Sequence, residues 1–311
     1  MKSPTPTAVD VDTNLLHSWP LPQPEPDSDK EARGQVVVIA GSREMPGAAL
    51  LAGHAALRAG AGRLIVATGA SVAQGLALAL PEARVLALAE SRSGGLQPEG
   101  VEILEPVLHG TQSVLVGPGM QDEDTTRRFV QALLRFCADA TVVLDALAMH
   151  AMSLLGRLDQ PVLLTPHAGE MAKLTDADKA AVLADAKRYC IEAAARWNAV
   201  IALKGQRTWI AGPQGIVWQH NGGNIGLATS GSGDVLAGLI AGLAARGASL
   251  VQAAIWGVAL HARAGLELTA NRGPLGFLAG ELAGEVPRLM DALASVTGCG
   301  STSEEHENIK Q

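Results

Sequence analysis

The sequence contains few aromatic residues and few cysteines, and both shortages exclude classes of protein. Its 311 residues include three Phe, one Tyr, five Trp and three Cys. Cys137, Cys190 and Cys299 are an odd number at wide spacing with no C-x-x-C pair, which argues against a disulfide framework and against a zinc ribbon. We interpret them as reduced thiols and expect a cytoplasmic protein. Hydrophobic residues make up 48% of the chain, so the core is expected to consist of Ala, Leu, Val and Gly.

Excess positive charge and long apolar runs are also absent. Lys and Arg number 24 against 31 Asp and Glu, which gives a net charge of −7. This balance argues against sequence-independent binding to nucleic acid or to an anionic membrane. The most apolar region, residues 235–262, is interrupted by Arg246, and neither half reaches the ~18 apolar residues that a membrane helix needs. We therefore expect no nucleic-acid and no membrane partner, whereas a small anionic ligand in a local site is compatible with this charge.

Composition divides the chain into two tails and a central body. Six of the sixteen prolines lie between Pro4 and Pro26, where apolar periodicity is missing, so residues 1–33 are predicted to form a disordered tail. Residues 298–311 are predicted to be a second, flexible tail. Residues 34–297 contain neither a linker nor an internal repeat, and we interpret them as one catalytic domain.

Within the body, short runs of Val, Ile and Leu alternate with helical stretches. This alternation predicts an α/β layered fold, and the continuous apolar character of the strands predicts a mostly parallel sheet with helices on both faces. The turn residues Gly212 to Gly215 predict an antiparallel hairpin of 208–211 with 216–219 on the C-terminal side. The other predicted strands are 35–40, 63–67, 84–88, 113–116, 141–144, 162–164 and 200–203. The predicted helices are 48–59, 125–138, 178–196, 233–245, 250–268 and 279–293.

A loop of small residues runs directly into a predicted apolar helix in the last third of the chain. Gly231 and Gly233 allow the backbone to approach a ligand closely. The N–H groups at Ser232 or Gly233, where the helix begins, favour an anion. Asp234 opens this helix, either as a base beside a bound phosphate or as a first-turn acid that the helix dipole favours.

Other polar residues follow predicted strands, at the edge where open α/β sheets bind ligands. His167 and Glu170 are three residues apart, a spacing that points both side chains to one side, and they are either ligand-binding residues or an ordinary helix start. Lys204 is either a phosphate ligand or a surface lysine at a hairpin. Asp145 is either a second acid of the site or a helix cap.

Several common catalytic motifs do not occur. The sequence has no Walker loop, no G-x-G-x-x-G fingerprint, no HExxH and no G-x-S-x-G elbow. Four further histidines have no metal-ligand spacing and are interpreted as structural, namely His54, His150, His220 and His261.

Taken in order, these segments resemble the ADP-dependent NAD(P)H-hydrate dehydratases. The matching motifs are AGSREMPGAA at 40–49, GPG at 117–119, TPHAGE at 165–170, KGQRT at 204–208 and GNIGLATSGSGDVLAG at 223–238. The resemblance spans about residues 34–293, and the number and order of the motifs make it specific. It implies a ribokinase-like fold and an enzyme, a lyase. This enzyme removes water from the (6S) hydrate of NADH or NADPH while ADP is split to AMP and phosphate.

The resemblance also implies roles for individual residues. Asp234 would be the base that activates the hydroxyl of the hydrate, and Glu170 would order Mg²⁺ through water. The implied anion hole is formed by Gly231, Ser232 and Gly233. The implied AMP contacts are Lys204, Gly205, Gln206, Arg207, Thr208 and Gly233. The hydrate pocket would be lined by Ala48, Gly119, His167 and Asp234. The resemblance further implies a homo-oligomer, a tetramer.

Two other functions are compatible with these motifs. One is a kinase of the same fold that acts on a small vitamin-precursor alcohol, and the other is a non-catalytic nucleotide-binding protein. The T-P-H-x-G-E and K-G-x-x-T segments favour the dehydratase over the kinase. The intact Asp234 favours an enzyme over a binding protein.

Overall fold

A ten-stranded sheet forms the centre of the protein. The computed structural model describes residues 6–25, 27 and 29–294, and the strand order is β1-β10-β9-β8-β7-β6-β5-β2-β3-β4. The strands are β1 Val9–Asp10, β2 Gln35–Ile39, β3 Arg63–Gly69, β4 Ala83–Leu88, β5 Ser113–Val116, β6 Thr141–Leu144, β7 Val162–Leu164, β8 Val200–Leu203, β9 Thr208–Ala211 and β10 Val217–His220.

Pairing in the sheet is parallel from β4 to β8 and antiparallel in the hairpin. All neighbours between β4 and β8 are parallel, whereas β9 runs antiparallel to both β8 and β10. The prediction of a mostly parallel sheet with a C-terminal antiparallel hairpin is therefore confirmed. Because parallel strands end at the same edge, the loops that follow β2 and β5 to β8 meet there.

Helices cover both faces of this sheet. In β2, Val36 and Val38 belong to one apolar cluster, whereas Val37 and Ile39 belong to another, as expected when side chains alternate along a strand buried on both faces. The helices are α1 Thr13–Ser18, α2 Gly47–Arg58, α3 Ala70–Ala79, α4 Val101–Leu108, α5 Glu123–Leu133, α6 Met152–Leu155, α7 Ala168–Thr175, α8 Lys179–Ala184, α9 Ala186–Trp197, α10 Ser232–Ala245, α11 Leu250–Arg272 and α12 Ala279–Ala294. Within the described residues, none of them combines the length and the hydropathy that a membrane-spanning helix requires.

The small residues of the core let α10 lie unusually close to α2. A β-carbon at Gly238 would collide with the backbone of Ala52, and one at Gly242 would collide with the backbone of Ala56. From Val235 onward every residue of α10 is buried. This close contact fixes α10 against the sheet, and it thereby fixes the position of its first turn at the sheet edge.

The prediction of a disordered N-terminal tail is wrong for its described part. Strand β1 pairs in parallel with β10, and Leu16 of α1 is 1% exposed. The indole N–H of Trp256 in α11 donates a 2.9 Å hydrogen bond to the carbonyl of Trp19. Residues far away in the sequence hold this segment in place. A local search for apolar periodicity cannot detect such contacts. The predicted tail 298–311 lies outside the described residues.

Candidate functional site

A buried ion pair lies at the carboxyl ends of the parallel strands. Lys204 Nζ is 3.2 Å from Asp145 Oδ1, which also accepts a 2.5 Å hydrogen bond from Thr165 Oγ1. The side chain of Asp145 is 4% exposed and that of Lys204 is 20% exposed, so Lys204 is not a surface lysine. Asp145 caps no helix with its side chain. In this fold Asp145 therefore contacts the ammonium group of Lys204 through a hydrogen-bonded ion pair.

Three acids surround Lys204 and keep it charged. Burial by itself lowers the pKa of Lys204, but the negative charges of Asp145, Glu170 and Asp234 outweigh burial and leave this pKa raised. A permanently positive group at a low-dielectric sheet edge is suited to bind phosphate oxygens.

The first turn of α10 faces this ammonium group. Gly231 has a φ of 87°, a left-handed conformation that turns the chain into the helix, and a β-carbon there would collide with Leu51. A β-carbon at Gly233 would lie 3.4 Å from Lys204 Nζ. Among the described residues no side chain caps this helix start, so its N–H groups and the lysine converge on one place. This arrangement is typical of an anion-binding site.

The carboxylate of Asp234 is unusual because it has no hydrogen-bond or ion-pair partner among the described side chains and has a raised pKa. Within the described part of the chain, it accepts no side-chain hydrogen bond and forms no ion pair within 4.0 Å. Burial and, secondly, the charge of Asp145 raise the pKa of Asp234 to about 6, against the lowering effect of Lys204. A carboxylate that is ionised at neutral pH, unpaired and easily protonated is suited to accept a proton from a substrate hydroxyl.

His167 and Glu170 form the start of α7. The Nδ1 atom of His167 accepts hydrogen bonds from the backbone N–H groups of Gly169 (3.0 Å) and Glu170 (3.1 Å). In return, Glu170 Oε2 accepts a 2.8 Å bond from the backbone N–H of His167. The helix-start interpretation of this pair is thus observed, and any ligand contact would be additional to it.

Ala48 and Gly119 lie side by side at the same edge, after β2 and β5. A β-carbon at Gly119 would lie 2.5 Å from the Ala48 β-carbon and 2.7 Å from the carbonyl oxygen of Met45. The φ of Gly119 is 63°, which also favours glycine. These two residues therefore form a tight corner of the edge, at the start of α2.

A cavity of about 720 Å³ opens between the loop after β8, the glycine-rich segment and α11. Its wall is polar near Lys204 and Ser232 and apolar near Leu227, Leu236 and Val258. Most of the predicted nucleotide contacts line this cavity, namely Lys204, Gly205, Gln206, Thr208, Ser232 and Gly233. A polar end beside an apolar slot matches the phosphates and the base of a nucleotide.

Arg207 does not line this cavity. It lines a second one, also of about 720 Å³, on the other side of the 204–207 loop beside residues 183–187. Its Nε donates a 2.7 Å hydrogen bond to Asn221, and its guanidinium lies 5.6 Å from the ring centre of Trp209. The sequence motif predicts that Arg207 contacts the nucleotide together with its neighbours. In the fold, its side chain instead lines the second cavity.

Two histidines that we interpreted as structural from the sequence line the nucleotide cavity. They are His220, the last residue of β10, and His261 of α11. His261 lies next to Ser232, which is 29 residues away in sequence. No motif links such distant positions, so only the packing of α11 against the start of α10 could identify the contact of His261 with Ser232.

The donor set of the edge does not fit a metal ion held by the protein alone. Among the described residues, no group of three or more His, Cys, Asp or Glu side chains is placed to hold a metal. The edge does fit Mg²⁺ bound mainly by nucleotide phosphates and water, with one carboxylate nearby, which is how this ion is commonly bound. Glu170, whose side chain is 18% exposed, is such a carboxylate.

Comparisons with known proteins agree on one family. The family model for NAD(P)H-hydrate dehydratase matches residues 36–288. The chain is 48% identical over 264 residues to the ADP-dependent (S)-NAD(P)H-hydrate dehydratase of Xanthomonas campestris pv. campestris, covering 85% of this chain and 90% of that relative. The bifunctional NAD(P)H-hydrate repair enzyme of Moorella thermoacetica is 37% identical over 261 residues. That match covers 83% of this chain but only 49% of the relative, so the chain spans about half of the bifunctional protein.

Solved structures give the same result. The ADP/ATP-dependent NAD(P)H-hydrate dehydratase of Bacillus subtilis, co-crystallized with ATP/Mg²⁺, superposes with a TM-score of 0.79 at 29% identity, covering 92% of this chain and 99% of that one. Hydroxyethylthiazole kinase from Pyrococcus horikoshii superposes with a TM-score of 0.58 at 17% identity, covering 85% of this chain and 91% of that one. The second likeness shows the fold alone. The fold is ribokinase-like, because a ribokinase-like superfamily protein of Enterococcus faecalis V583 superposes with a TM-score of 0.77 at 28% identity, covering 92% of this chain and 96% of that one.

Proposed function

The chain belongs to the NAD(P)H-hydrate dehydratase family, and we propose that it is an enzyme, a lyase, that dehydrates the (6S) hydrate of NADH or NADPH with ADP as co-substrate. The observation that carries this proposal is the meeting of Lys204, Asp234 and the uncapped start of α10 at one sheet edge. The substrates are small molecules, and the products are NADH or NADPH, AMP and phosphate.

The chemistry follows from the difficulty of expelling hydroxide from the hydrated ring. Asp234 accepts the proton of the ring hydroxyl, and the oxygen attacks the β-phosphorus of ADP, so that the bond to AMP breaks. The ring nitrogen then expels phosphate, a much better leaving group than hydroxide, and loss of a ring proton restores the double bond. The carboxylate of Asp234 suits the first step because no described side chain competes for it.

Lys204 and the start of α10 stabilise the charge on the transferred group. Phosphoryl transfer depends mainly on positioning and on positive groups around the phosphate oxygens. Asp145 holds Lys204 Nζ at 3.2 Å and thereby keeps the ammonium group beside Gly233. The N–H groups of the first turn of α10 supply the other donors.

Magnesium completes the proposed site. When bound to the nucleotide phosphates, it would neutralise part of their charge. Glu170 is the residue that we propose to reach its water ligands, while the same carboxylate keeps its bond to the backbone of His167. Ala48, Gly119 and His167 are proposed to contact the hydrate. Lys204, Gly205, Gln206 and Thr208 are proposed to contact the nucleotide together with Gly231 to Gly233, whereas Arg207 is left out because it lines the second cavity.

The assembly and location are further parts of the proposal. We propose a homo-oligomer, with the tetramer taken from the family resemblance. Leu266, Leu275 and Leu278 support an assembly, because they leave apolar surface exposed around the end of α11. We also propose that the protein works in the cytoplasm, where its substrates are found and where its buried thiols Cys137 and Cys190 stay reduced.

One assay separates this function from its alternatives. The protein is incubated with NADH hydrate, ADP and Mg²⁺, and NADH, AMP and phosphate are measured together. The dehydratase forms the three products in equal amounts. A kinase of a vitamin-precursor alcohol regenerates no NADH, and a non-catalytic nucleotide-binding protein forms none of the three. Either of these results contradicts the proposal.

A further inference from the structure

His261 lies in the middle of α11, lines the nucleotide cavity and contacts the start of α10 directly. The residue is 8% exposed, and its Nε2 lies 3.0 Å from both the side-chain and the backbone oxygen of Ser232. Ser232 is the first residue of α10, directly after the left-handed Gly231. One imidazole nitrogen therefore contacts both oxygens of the residue that begins the anion-binding turn.

The geometry fixes where the proton of this ring is found. Burial lowers the pKa of His261 to about 4; the bond to the Ser232 backbone opposes this lowering, and the charges of Lys204 and His220 add to it. The ring is therefore neutral at neutral pH and carries a single N–H. A carbonyl oxygen can only accept a hydrogen bond, so the ring must carry its proton on Nε2 to bond the Ser232 carbonyl.

This tautomer leaves the proton of the Ser232 hydroxyl free for a ligand. A protonated Nε2 has no lone pair to accept with, so the hydroxyl oxygen can only share the same N–H as a second acceptor. Ser232 Oγ has no other hydrogen-bond partner within the described residues. Since Ser232 lines the cavity together with Gly233 and Lys204, its O–H can point to a phosphate oxygen bound there.

We infer that His261 is a positioning residue for the phosphoryl transfer: it holds Ser232 so that the hydroxyl and the first N–H groups of α10 are directed at the transferred phosphate. This inference rests on the proposed function. The start of α10 has no side-chain cap, so the bond from α11 replaces the anchor that a cap would provide. A misplaced donor affects the transfer step more than it affects nucleotide binding, because the geometric demand is greatest in the transfer.

Two substitutions of His261 test whether the position of the N–H donor matters, because both introduce a polar amide but only one places its N–H near Ser232. In His261→Gln the amide N–H occupies the position of Nε2, whereas in His261→Asn it occupies that of Nδ1 and cannot reach Ser232. His150 provides a matched control, because it is also 8% exposed but does not line the cavity. Its Nδ1 lies 3.0 Å from a carboxylate oxygen of Glu123. His150→Gln and His150→Asn test the general effect of replacing a buried histidine.

The expected result is a split between the two variants. In assays with NADH hydrate and ADP, His261→Asn should lower kcat by about 10- to 100-fold, while KM for ADP changes much less. His261→Gln should keep most of the parent kcat, and both His150 variants should keep it as well. Melting temperatures show that all four variants are folded. Equal kcat for His261→Gln and His261→Asn overturns the inference.

The tautomer can be measured without turnover. NMR of the histidine ring nitrogens in the parent protein should place the His261 proton on Nε2 at neutral pH, and a proton on Nδ1 would overturn the inference. A parent protein that has this tautomer but regenerates no NADH contradicts the proposed function while leaving the hydrogen-bond arrangement in place. The two failures are therefore distinguishable.

Discussion

The helices α7 and α10 both begin at the catalytic edge of the sheet, but only one of them has a capped N-terminus. At α7, His167 and Glu170 satisfy each other's backbone N–H groups in a reciprocal capping box. At α10, Gly231 provides no side-chain cap, and the acid in the first turn, Asp234, accepts no hydrogen bond within the described residues. The difference shows two uses of a helix start: the first stabilises the fold, and the second keeps its donors for a ligand.

Lys204 lies between these two helix starts and interacts with the acids of both. Glu170 from α7 and Asp234 from α10 both raise its pKa, together with Asp145, against the effect of burial. Substitutions at α7 should therefore change mainly stability, whereas substitutions at α10 should change mainly the rate. The following predictions test this contrast, first with three substitutions from the largest expected effect to the smallest and then with a pH profile.

Asp234→Asn tests the catalytic side of the comparison. The variant keeps the size of the side chain but loses the proton acceptor, so the rate of NADH regeneration should fall by ~10²–10⁴-fold. The fold should be retained, because a first-turn acid contributes only ~0.3–1 kcal/mol through the helix dipole. The control is Asp124→Asn, which removes an exposed first-turn acid of α5 that lines neither cavity. Turnover close to that of the parent would return Asp234 to a structural role.

Lys204→Met tests the connection between the two helices. It leaves Asp145 as a buried carboxylate without a cationic partner, and we expect unfolding in denaturant to cost about 3 kcal/mol less than in the parent. ADP binding should weaken as well, because the phosphates lose a cation. Adding Asp145→Asn in the same chain should restore most of the stability but not the ADP affinity, as measured by titration. Unchanged ADP affinity in the single variant would reject Lys204 as a phosphate ligand.

Glu170 tests the structural side. Glu170→Ala removes the acceptor for the His167 backbone N–H and should lower the free energy of unfolding by about 1 kcal/mol. Glu170→Gln keeps an acceptor at this position of the capping box and should keep the stability of the parent. Denaturant unfolding of both variants measures the difference. A second readout is the Mg²⁺ concentration needed for activity, which should rise in both variants if Glu170 orders water around the ion. An unchanged requirement would remove Glu170 from the metal site.

The pH dependence of stability tests the raised pKa of Asp234. Burial raises the pKa of Asp234 from its ordinary value of 3.8 to about 6, so the folded state binds this proton more tightly than the unfolded state does. Its contribution to stability therefore decreases as pH rises from about 4 to 6 and stays low above that range. Asp234→Asn should gain melting temperature relative to the parent at pH 7 and lose this advantage near pH 4. Equal pH profiles of the two proteins would contradict a raised pKa.

The strands and the start of α10 were predictable because their signals are local. Five strands have the predicted bounds. Four of them, including Ser113–Val116 and Val200–Leu203, belong to the parallel part of the sheet, where a continuous run of Val, Ile and Leu is itself the feature that burial on both faces requires. The start of α10 was predicted within one residue from Gly231 and the apolar run that follows. The predicted helix 178–196 is instead two helices that meet at Asp185, whose φ of −142° interrupts them.

Contacts between distant parts of the chain were not predictable from the sequence. Asp145 and Lys204 are 59 residues apart, and Ser232 and His261 are 29 residues apart. Nothing in the neighbourhood of either residue in the sequence points to its partner, because the contact depends on which strands are adjacent and on where α11 crosses the sheet. The sequence thus proposed roles for Asp234 and Lys204 but left open what holds Lys204 and Ser232 in position.

The docked N-terminal segment also changes what the sheet presents to other molecules. Strand β1 has only two residues, and it covers the outer side of β10, which carries the largely buried Trp218. An exposed strand edge of this kind is a template on which further chains can add strands, and a very short terminal strand is one way in which proteins prevent this. Residues 9–10 therefore cover an edge on which aggregation would otherwise begin. A chain trimmed to begin at Gly34 would expose the edge of β10 and would be prone to aggregate through it.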